Sequence, residues 1–301
     1  MPDLTIGADP ELFVRHKKTN SLVSAHDLIK GTKEKPHQLK TGACQVDGPM
    51  AEFNIVPAKN AAAFQQNVLG TRKKLNKMLR SSGDYELMVQ ATGIFDAEYF
   101  KELPDEVKIL GCSPDWNAYD MTPARTPEYP DNTWFGAGHI HVGWFDRTEY
   151  PNGASHPTNQ YIDDGAYFTR HLDGCLYVLS PLWDLDYIRR AAYGPGRFRP
   201  KPYGVEYRSL SNEWLQDKNL IKWIFNMTAH AYTQLKEGFN LADEGKNEMH
   251  DFICAEHIDF RQLKAYHHML VNLYGYPPLP LGFLNEERYK RKVDSYGYQS
   301  N

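Results

Sequence analysis

Four short runs of this sequence set two polar side chains two residues apart: Asp9 with Glu11, Glu52 with Asn54, His139 with His141, and Glu206 with Arg208. On extended backbone such residues project from one face of a strand. Strands laid side by side would therefore gather carboxylates, imidazoles and a guanidinium into one cluster. A cluster rich in carboxylate oxygen, with at most one or two imidazoles, suits Mg²⁺ or Mn²⁺ better than zinc. A second signal is the stretch RRAAYGPGRFRPKPYGVEYRSLS from Arg189 to Ser211, with six basic residues and one acid, Glu206, between Arg189 and Arg208 in a chain of net charge −4. So much same-sign charge repels itself unless an anion normally sits there. The planar fork of arginine fits phosphate or carboxylate oxygens in two-point contacts. Gly194 and Gly196 flank Pro195, the composition of a turn where backbone can approach a ligand closely. The lone acid among the arginines is explained if a metal ion arrives with the anion. Acids and arginines together predict a divalent-metal nucleotide site, with ions bridging phosphates and arginines neutralising the transferred group. The sequence holds no GxxxxGK[ST] phosphate loop.

The elements that must position these groups are legible in outline. Leu4–Val14 reads as a strand interrupted by Gly7 and Pro10, and Cys44–Pro57 as two strands about a turn at Gly48-Pro49. Asp47 ends the first of these and Glu52 lies on the second. Lys17–Lys40 reads as hairpin and surface loop, with a short strand at Ser21–Ala25. Lys59–Arg80 is a helix with Phe64, Val68, Leu75 and Leu79 at helical spacing. Tyr85–Gly93 is a strand, and Gly111–Ala118 a turn-rich loop whose Asp115 could line a cleft. Thr133–Trp144 is a strand carrying the two histidines among glycines. Tyr161–Leu179 is a helix, and Gly204–Leu210 a strand bearing Glu206 and Arg208. Two more helices follow, through Ile221–Leu235 and Leu263–Leu273, and then an extended proline-rich packing arm from Tyr276.

The bulk numbers narrow the class. A chain of 301 residues with 41% apolar and 24% charged residues can bury a large core. A pI near 6.3 excludes general nucleic-acid affinity and leaves the basic stretch as a local site. Cys44, Cys112, Cys175 and Cys254 lack CxxC spacing and read as buried thiols of a reducing compartment. The N-terminus carries no basic leader or apolar core of a signal sequence, and no run reaches transmembrane length. A soluble, cytoplasmic protein is expected, with no membrane partner.

The blocks ADPELF, VDGPMAEFN, GAGHIHVG and RAAYGPGRFRPKPYGVEYRSLS resemble the phage-type carboxylate–amine ligases (COOH-NH2 ligase, type 2). That family is similar to the catalytic domains of glutamine synthetase and glutamate–cysteine ligase. The resemblance covers residues of about 4–215 in scattered blocks, and the rest matches only in being helical. It implies an α+β fold whose curved, mostly antiparallel sheet forms a half-barrel. Helices would pack on the outer face, and one catalytic domain would span 1–301 with C-terminal helices and tail appended. It implies that Asp9 and Glu11 stand for an ExE pair, and that Glu11, Asp47 and Glu52 bind the metal nearer the substrate acid. Asp9, His139 and Glu206 would bind the metal that bridges the ATP phosphates. His141 would approach those phosphates, Arg190 and Arg197 or Arg199 would hold them, and Arg208 would steady the transferred phosphoryl. Arg208, Arg199 and Glu52 are thus the expected catalytic groups. Asp stands at position 9 where the family has Glu, and the Asp47–Glu52 spacing is tighter than in glutamine synthetase.

The expected function is an ATP- and Mg²⁺- or Mn²⁺-dependent ligase, using two or more ions, that joins a carboxylate to an amine through an acyl phosphate. Its substrates would be small molecules or peptides, and its compartment the host cytoplasm if the chain is phage-encoded. A homo-oligomer is compatible with all of this. Three other readings fit the same residues: a kinase acting on a guanidino or related nitrogen, a metal-dependent hydrolase using His139 and His141, and a non-catalytic binding protein on an enzyme scaffold.

Overall fold

The computed structural model describes residues 4–109, 115–125, 127–145, 149, 157–244, 251–255 and 259–296. In chain order the N-terminal part runs β1 (Thr5–Ala8), β2 (Glu11–His16), β3 (Leu22–Val23), β4 (His37–Leu39), β5 (Gly42–Asp47), β6 (Met50–Ile55) and α1 (Ala61–Ser82). Next come β7 (Tyr85–Met88), β8 (Thr92–Ile94), α2 (Ala97–Lys101), α3 (Asp105–Lys108), β9 (Trp116–Asn117), β10 (Thr133–Phe135) and β11 (Ile140–Gly143). The remainder is α4 (Asn159–Leu172), α5 (Tyr187–Ala192), β12 (Arg197–Lys201), β13 (Gly204–Tyr207), α6 (Lys218–Lys236), α7 (Leu241–Glu244), α8 (Phe260–Tyr274) and α9 (Glu286–Ser295).

Every strand pair is antiparallel. The two larger sheets have the orders β1-β11-β13-β12-β9 and β3-β2-β6-β5-β4, with β7 also on β2, and β10 pairs with β8 in a third. The two meet where β1 passes through Asp9-Pro10 into β2. Proline lacks the donor that a continuous ladder needs, and the chain changes sheets there. Glu11 N–H donates to the Ala137 carbonyl at 2.9 Å and Phe53 N–H to the Pro10 carbonyl at 3.2 Å across the seam. The result is a curled antiparallel sheet forming a half-barrel, with helices packed beside it.

Period-two alternation separates the two faces. Ile6, Ala8, Leu12, Val14, Ala51, Phe53, Ile55, Ile140, Val142, Phe198, Val205 and Tyr207 belong to one apolar cluster, which α1, α4 and α6 cover. Their odd-and-even counterparts Asp9, Glu11, Glu52, His141, Arg199 and Glu206 therefore face the other way. A second, smaller cluster of Phe13, Met50, Phe95, Phe100 and Trp134 closes one end of that polar face. Gly48, at the β5–β6 turn, has φ +54°, and a Cβ there would lie 2.4 Å from the Trp134 ring. Any side chain would push that ring out of its cluster.

Several elements differ from the sequence expectation: Thr133–Trp144 is two strands, β10 and β11, in different sheets, and the Gly111–Ala118 loop contributes β9. Tyr85–Gly93 is two strands: β7 pairs with β2, and β8 with β10 in a separate ladder. The bend at Ala91 frees its carbonyl for Gly136 N–H, at 2.8 Å. The helix through Tyr161–Leu179 ends as α-helix at Leu172 and widens into a π-turn at Asp173–Tyr177, a form that recurs at functional sites. Cys44 and Cys175 are buried as expected, but Cys254 is exposed, and Cys112 lies outside the described residues. The arm after α8 does pack: Tyr276, Leu279 and Phe283 are buried in the main core, and His267 accepts from Leu279 N–H at 2.9 Å. Its chain then forms α9, which the composition did not reveal. Among the described residues no helix is long and apolar enough to cross a membrane.

Candidate metal centre

Strand register assembles the centre. One rung crosses the first sheet, with Gly7 opposite His141, His141 opposite Glu206, and Glu206 opposite Arg199. On the far side Phe198 pairs with Trp116, so one step along the same register sets Asp115 opposite Arg199. The neighbouring rung runs Asp9, His139, Arg208, Arg197 by the same registers, and Arg208 N–H donates to the Arg197 carbonyl at 2.9 Å.

On these rungs His139 Nδ1 lies 3.3 Å from Asp9 Oδ1 and 3.6 Å from Glu206 Oε1. His141 Nε2 lies 2.8 Å from the same Asp9 oxygen. Asp9, His139 and Glu206 each bring one ligand atom within 4.8 Å of the others, a group that can hold a metal ion. The donor set fits a hard divalent cation, because two of its three groups are carboxylates. His139 Nε2 is buried with no hydrogen-bond partner, a position that native structures rarely leave without a function. Glu206 is ringed by cations as well. Arg208 Nη1 bonds its Oε1, Arg199 Nη1 is 3.6 Å from that oxygen, and Lys201 Nζ is 2.7 Å from Oε2.

These neighbours set the charges. Burial alone would raise the Glu206 carboxyl, but Arg208, His141 and Lys201 outweigh it and hold it well below its ordinary pKa. Burial likewise pushes Asp9 up, and the two histidines pull it below its usual range. His139 is lowered by burial and by Arg208. His141 is raised, since Asp9 overcomes its burial. An acid kept ionised next to a neutral imidazole is the protonation state that a metal requires.

Glu11, Glu52 and Asp47 form a different kind of group. Glu11 and Glu52 are directly opposite on β2 and β6. Burial and the Asp47 charge push Glu11 up to about 8. Burial, Asp9 and Glu11 raise Glu52 well above its ordinary value. Gln45 donates to Glu52 Oε2 at 2.8 Å, and Lys33 Nζ is 2.6 Å from Asp47 Oδ1. Among the described residues these three acids do not come together as closely as Asp9, His139 and Glu206. A cleft of about 840 Å³ opens on this side, with Glu11, Asp47, His139 and Arg208 at its floor and Phe135 and Tyr193 in its wall.

The arginine stretch divides. Arg189 is 1% exposed, lies over the Tyr193 ring, and donates to the Tyr193 and Leu210 carbonyls at 3.2 and 3.1 Å. Arg190, expected to hold phosphate, is turned to Ser180 Oγ at 2.7 Å and lies over the Tyr177 ring. Helix α5 aims it at the neighbouring helical turns and not at the sheet face. Arg197 reaches the Arg125 and Ala192 carbonyls. Arg199 and Arg208 remain around Glu206, together with Lys201. The turn before β12 is anchored inward: Gly196, at φ +80° with Tyr119 packed against it, donates its N–H to Asp173 Oδ2 at 2.6 Å. No ligand is needed to explain its glycine.

Four residues of the arrangement were not among the expected site residues, although the sequence marks Asp115 as one that could line a cleft. Asp115, read as a loop residue, places Oδ1 3.1 Å from Arg199 Nη2 and 2.8 Å from Arg208 Nε. Lys201 shares the parity of Arg197 and Arg199, a signal present in the sequence. Tyr203 bonds His141 Nδ1. Asp173, raised by burial to about 7, accepts from Tyr207 and Tyr119 hydroxyls at 2.7 and 3.0 Å besides Gly196. It thereby ties together the segments bearing Asp115, the β12 arginines and Glu206. No protein-family model matches the chain, and no curated protein matches it either.

Proposed function

We propose that this chain is an ATP- and divalent-metal-dependent ligase that joins a carboxylate to an amine. The reading draws its reaction class from the resemblance to the phage-type carboxylate–amine ligases. The observation that supports it is the sharing of two adjacent rungs by a metal-capable acid–imidazole group and the guanidiniums of Arg199 and Arg208, with Lys201 reaching Glu206 from the next rung. Asp9, His139 and Glu206 would hold one ion against the ATP phosphates, and Glu11, Asp47 and Glu52 a second one nearer the acid. Bound Mg²⁺ or Mn²⁺ would neutralise phosphate oxygens and leave their phosphorus open to attack.

In this proposal a carboxylate oxygen of the first substrate forms a bond to the γ-phosphorus as the bond to ADP breaks. The amine of the second substrate then attacks the acyl carbon, the C–O bond to phosphate breaks, and the amine proton passes to a carboxylate, for which Glu52 is the candidate. Arg208 and Arg199 would offset charge on the transferred phosphoryl and on the tetrahedral intermediate, in a buried setting where such contacts are strong. His141, fixed by Tyr203 and Asp9, would approach the phosphates.

Mg·ATP should raise the melting temperature of the wild-type protein. A screen for ADP release over mixed carboxylate and amine pools, read by mass spectrometry, should then yield an amide together with ADP and phosphate. Absence of any ATP-induced shift overturns the proposal, and a stable phosphorylated acceptor in place of an amide would assign the chain to the kinases. Glu206→Gln and Arg208→Ala should both abolish turnover.

A further inference from the structure

The loop residue Asp115 has an unusual position for an acid that sequence patterning leaves unassigned. It is 9% exposed, and one of its oxygens faces both Arg199 Nη2 and Arg208 Nε. On the opposite side of the same two guanidiniums stands Glu206, reached by Arg208 Nη1 and by Arg199 Nη1. Two arginines are therefore held between two acids, with signs alternating along the rung from His141 through Glu206 and Arg199 to Asp115. Side by side, two guanidiniums repel, and an acid between them fixes both their spacing and the plane in which each fork lies.

The anchoring of Asp115 is built into the sheet. Its carbonyl accepts from Ala124 N–H at 2.7 Å, Asn117 N–H donates to the Thr122 carbonyl at 2.9 Å, and β9 pairs with β12. Four residues on, Tyr119 donates its hydroxyl to Asp173, the same carboxylate that holds Gly196 and Tyr207. A short edge strand with this much support serves to carry Asp115 to the arginines.

We infer that Asp115 is a positioning residue that sets Arg199 and Arg208 to receive the terminal phosphoryl group of a nucleotide. The inference rests on the ATP-dependent reading above and adds to it a residue that contacts neither metal ligand set nor substrate. Glu206 stands on the other side of the same guanidiniums and is also shared with Lys201.

The test compares Mg·ATP with Mg·ADP binding by calorimetry for the full-length wild type, Asp115→Asn and Asp115→Glu. The positioning role expects Asp115→Asn to weaken Mg·ATP at least tenfold and Mg·ADP less than twofold, and Asp115→Glu to recover part of the difference. A purely structural role would lower the melting temperature and weaken both nucleotides alike, which overturns the inference. Tighter Mg·ATP binding by Asp115→Asn would mean that Asp115 competes with phosphate for the arginines, and overturns it as well. Wild-type protein that binds neither nucleotide removes the ATP reading and this inference with it. Unchanged Mg·ATP binding by Asp115→Asn, beside a wild type that binds, removes the inference alone.

Discussion

Two acid groups share one sheet face, and they keep their charge in opposite ways. Asp9 and Glu206 stay ionised because His141, Arg208 and Lys201 lie against them. Glu11 and Glu52 face each other across β2 and β6, with burial and neighbouring acids driving their protons on. One group is held ionised by surrounding cations, and the other keeps protons that a cation would expel. Burial is common to both, so the difference comes from which side chains the adjacent strands supply.

The strongest way to break this contrast is Glu206→Gln. Removing the charge takes from Arg208, Arg199 and Lys201 the acid they share and leaves Asp115 beside the two arginines, and losing one partner of a buried pair costs about 3–5 kcal/mol. Urea unfolding should show a loss of that size, alongside lost Mn²⁺ binding. A loss under about 1 kcal/mol would mean that the arginines find other partners. An effect of at least similar size is expected for Asp173→Ala, which strands the Gly196 N–H and two tyrosine hydroxyls. Each unsatisfied buried group costs about 1–3 kcal/mol, so thermal unfolding should fall well below wild type.

The pH dependence of the metal-free protein separates the groups by sign. Glu11 at about 8, Asp173 at about 7 and Glu213 at about 8 keep protons in the folded state that the unfolded chain has released. Their contribution is therefore full below the ordinary carboxylate range and declines as pH rises through about 4 to about 8. Asp9 and Glu206, shifted down, contribute above that range and lose their contribution as pH falls. Urea titrations in EDTA should place maximum stability on the acid side of neutrality. A maximum above pH 8 would contradict the proton-storing assignment.

Glu52→Gln should be the mild counterpart of Glu206→Gln. The amide is isosteric with a protonated acid and still accepts from Gln45, so metal-free stability should change by less than about 1 kcal/mol, while the Mn²⁺-induced melting shift shrinks. Smallest at the site should be Arg190→Met, with Mg·ATP affinity within about twofold of wild type, while its stability loss of about 0.5–2 kcal/mol comes from the Tyr177 contact outside the site.

Much of the site was legible because alternation is a local property of extended backbone. Asp9 had to share a face with Glu11, His139 with His141, and Glu206 with Arg208 once their segments were strands, whatever surrounded them. The curved antiparallel sheet, the helix α1 and the arm after α8 followed from spacing and resemblance in the same manner. Register was not legible, since it depends on pairing between strands distant in the chain, β1 with β11, β11 with β13 and β9 with β12. Only the folded sheet put Glu206 opposite both His141 and Arg199, and Asp115 beside them from a segment with no periodicity of its own.

The six basic residues of Arg189–Arg208 make the same point in reverse. Their charge density was fixed by the sequence, and it suggested a single anion site. Tertiary packing gave Arg189, Arg190 and Arg197 to carbonyls, a hydroxyl and tyrosine rings, and left Arg199, Lys201 and Arg208 around Glu206. A guanidinium has five donors that carbonyls, hydroxyls and carboxylates can all satisfy, so what it binds is decided by the groups that the fold carries to it.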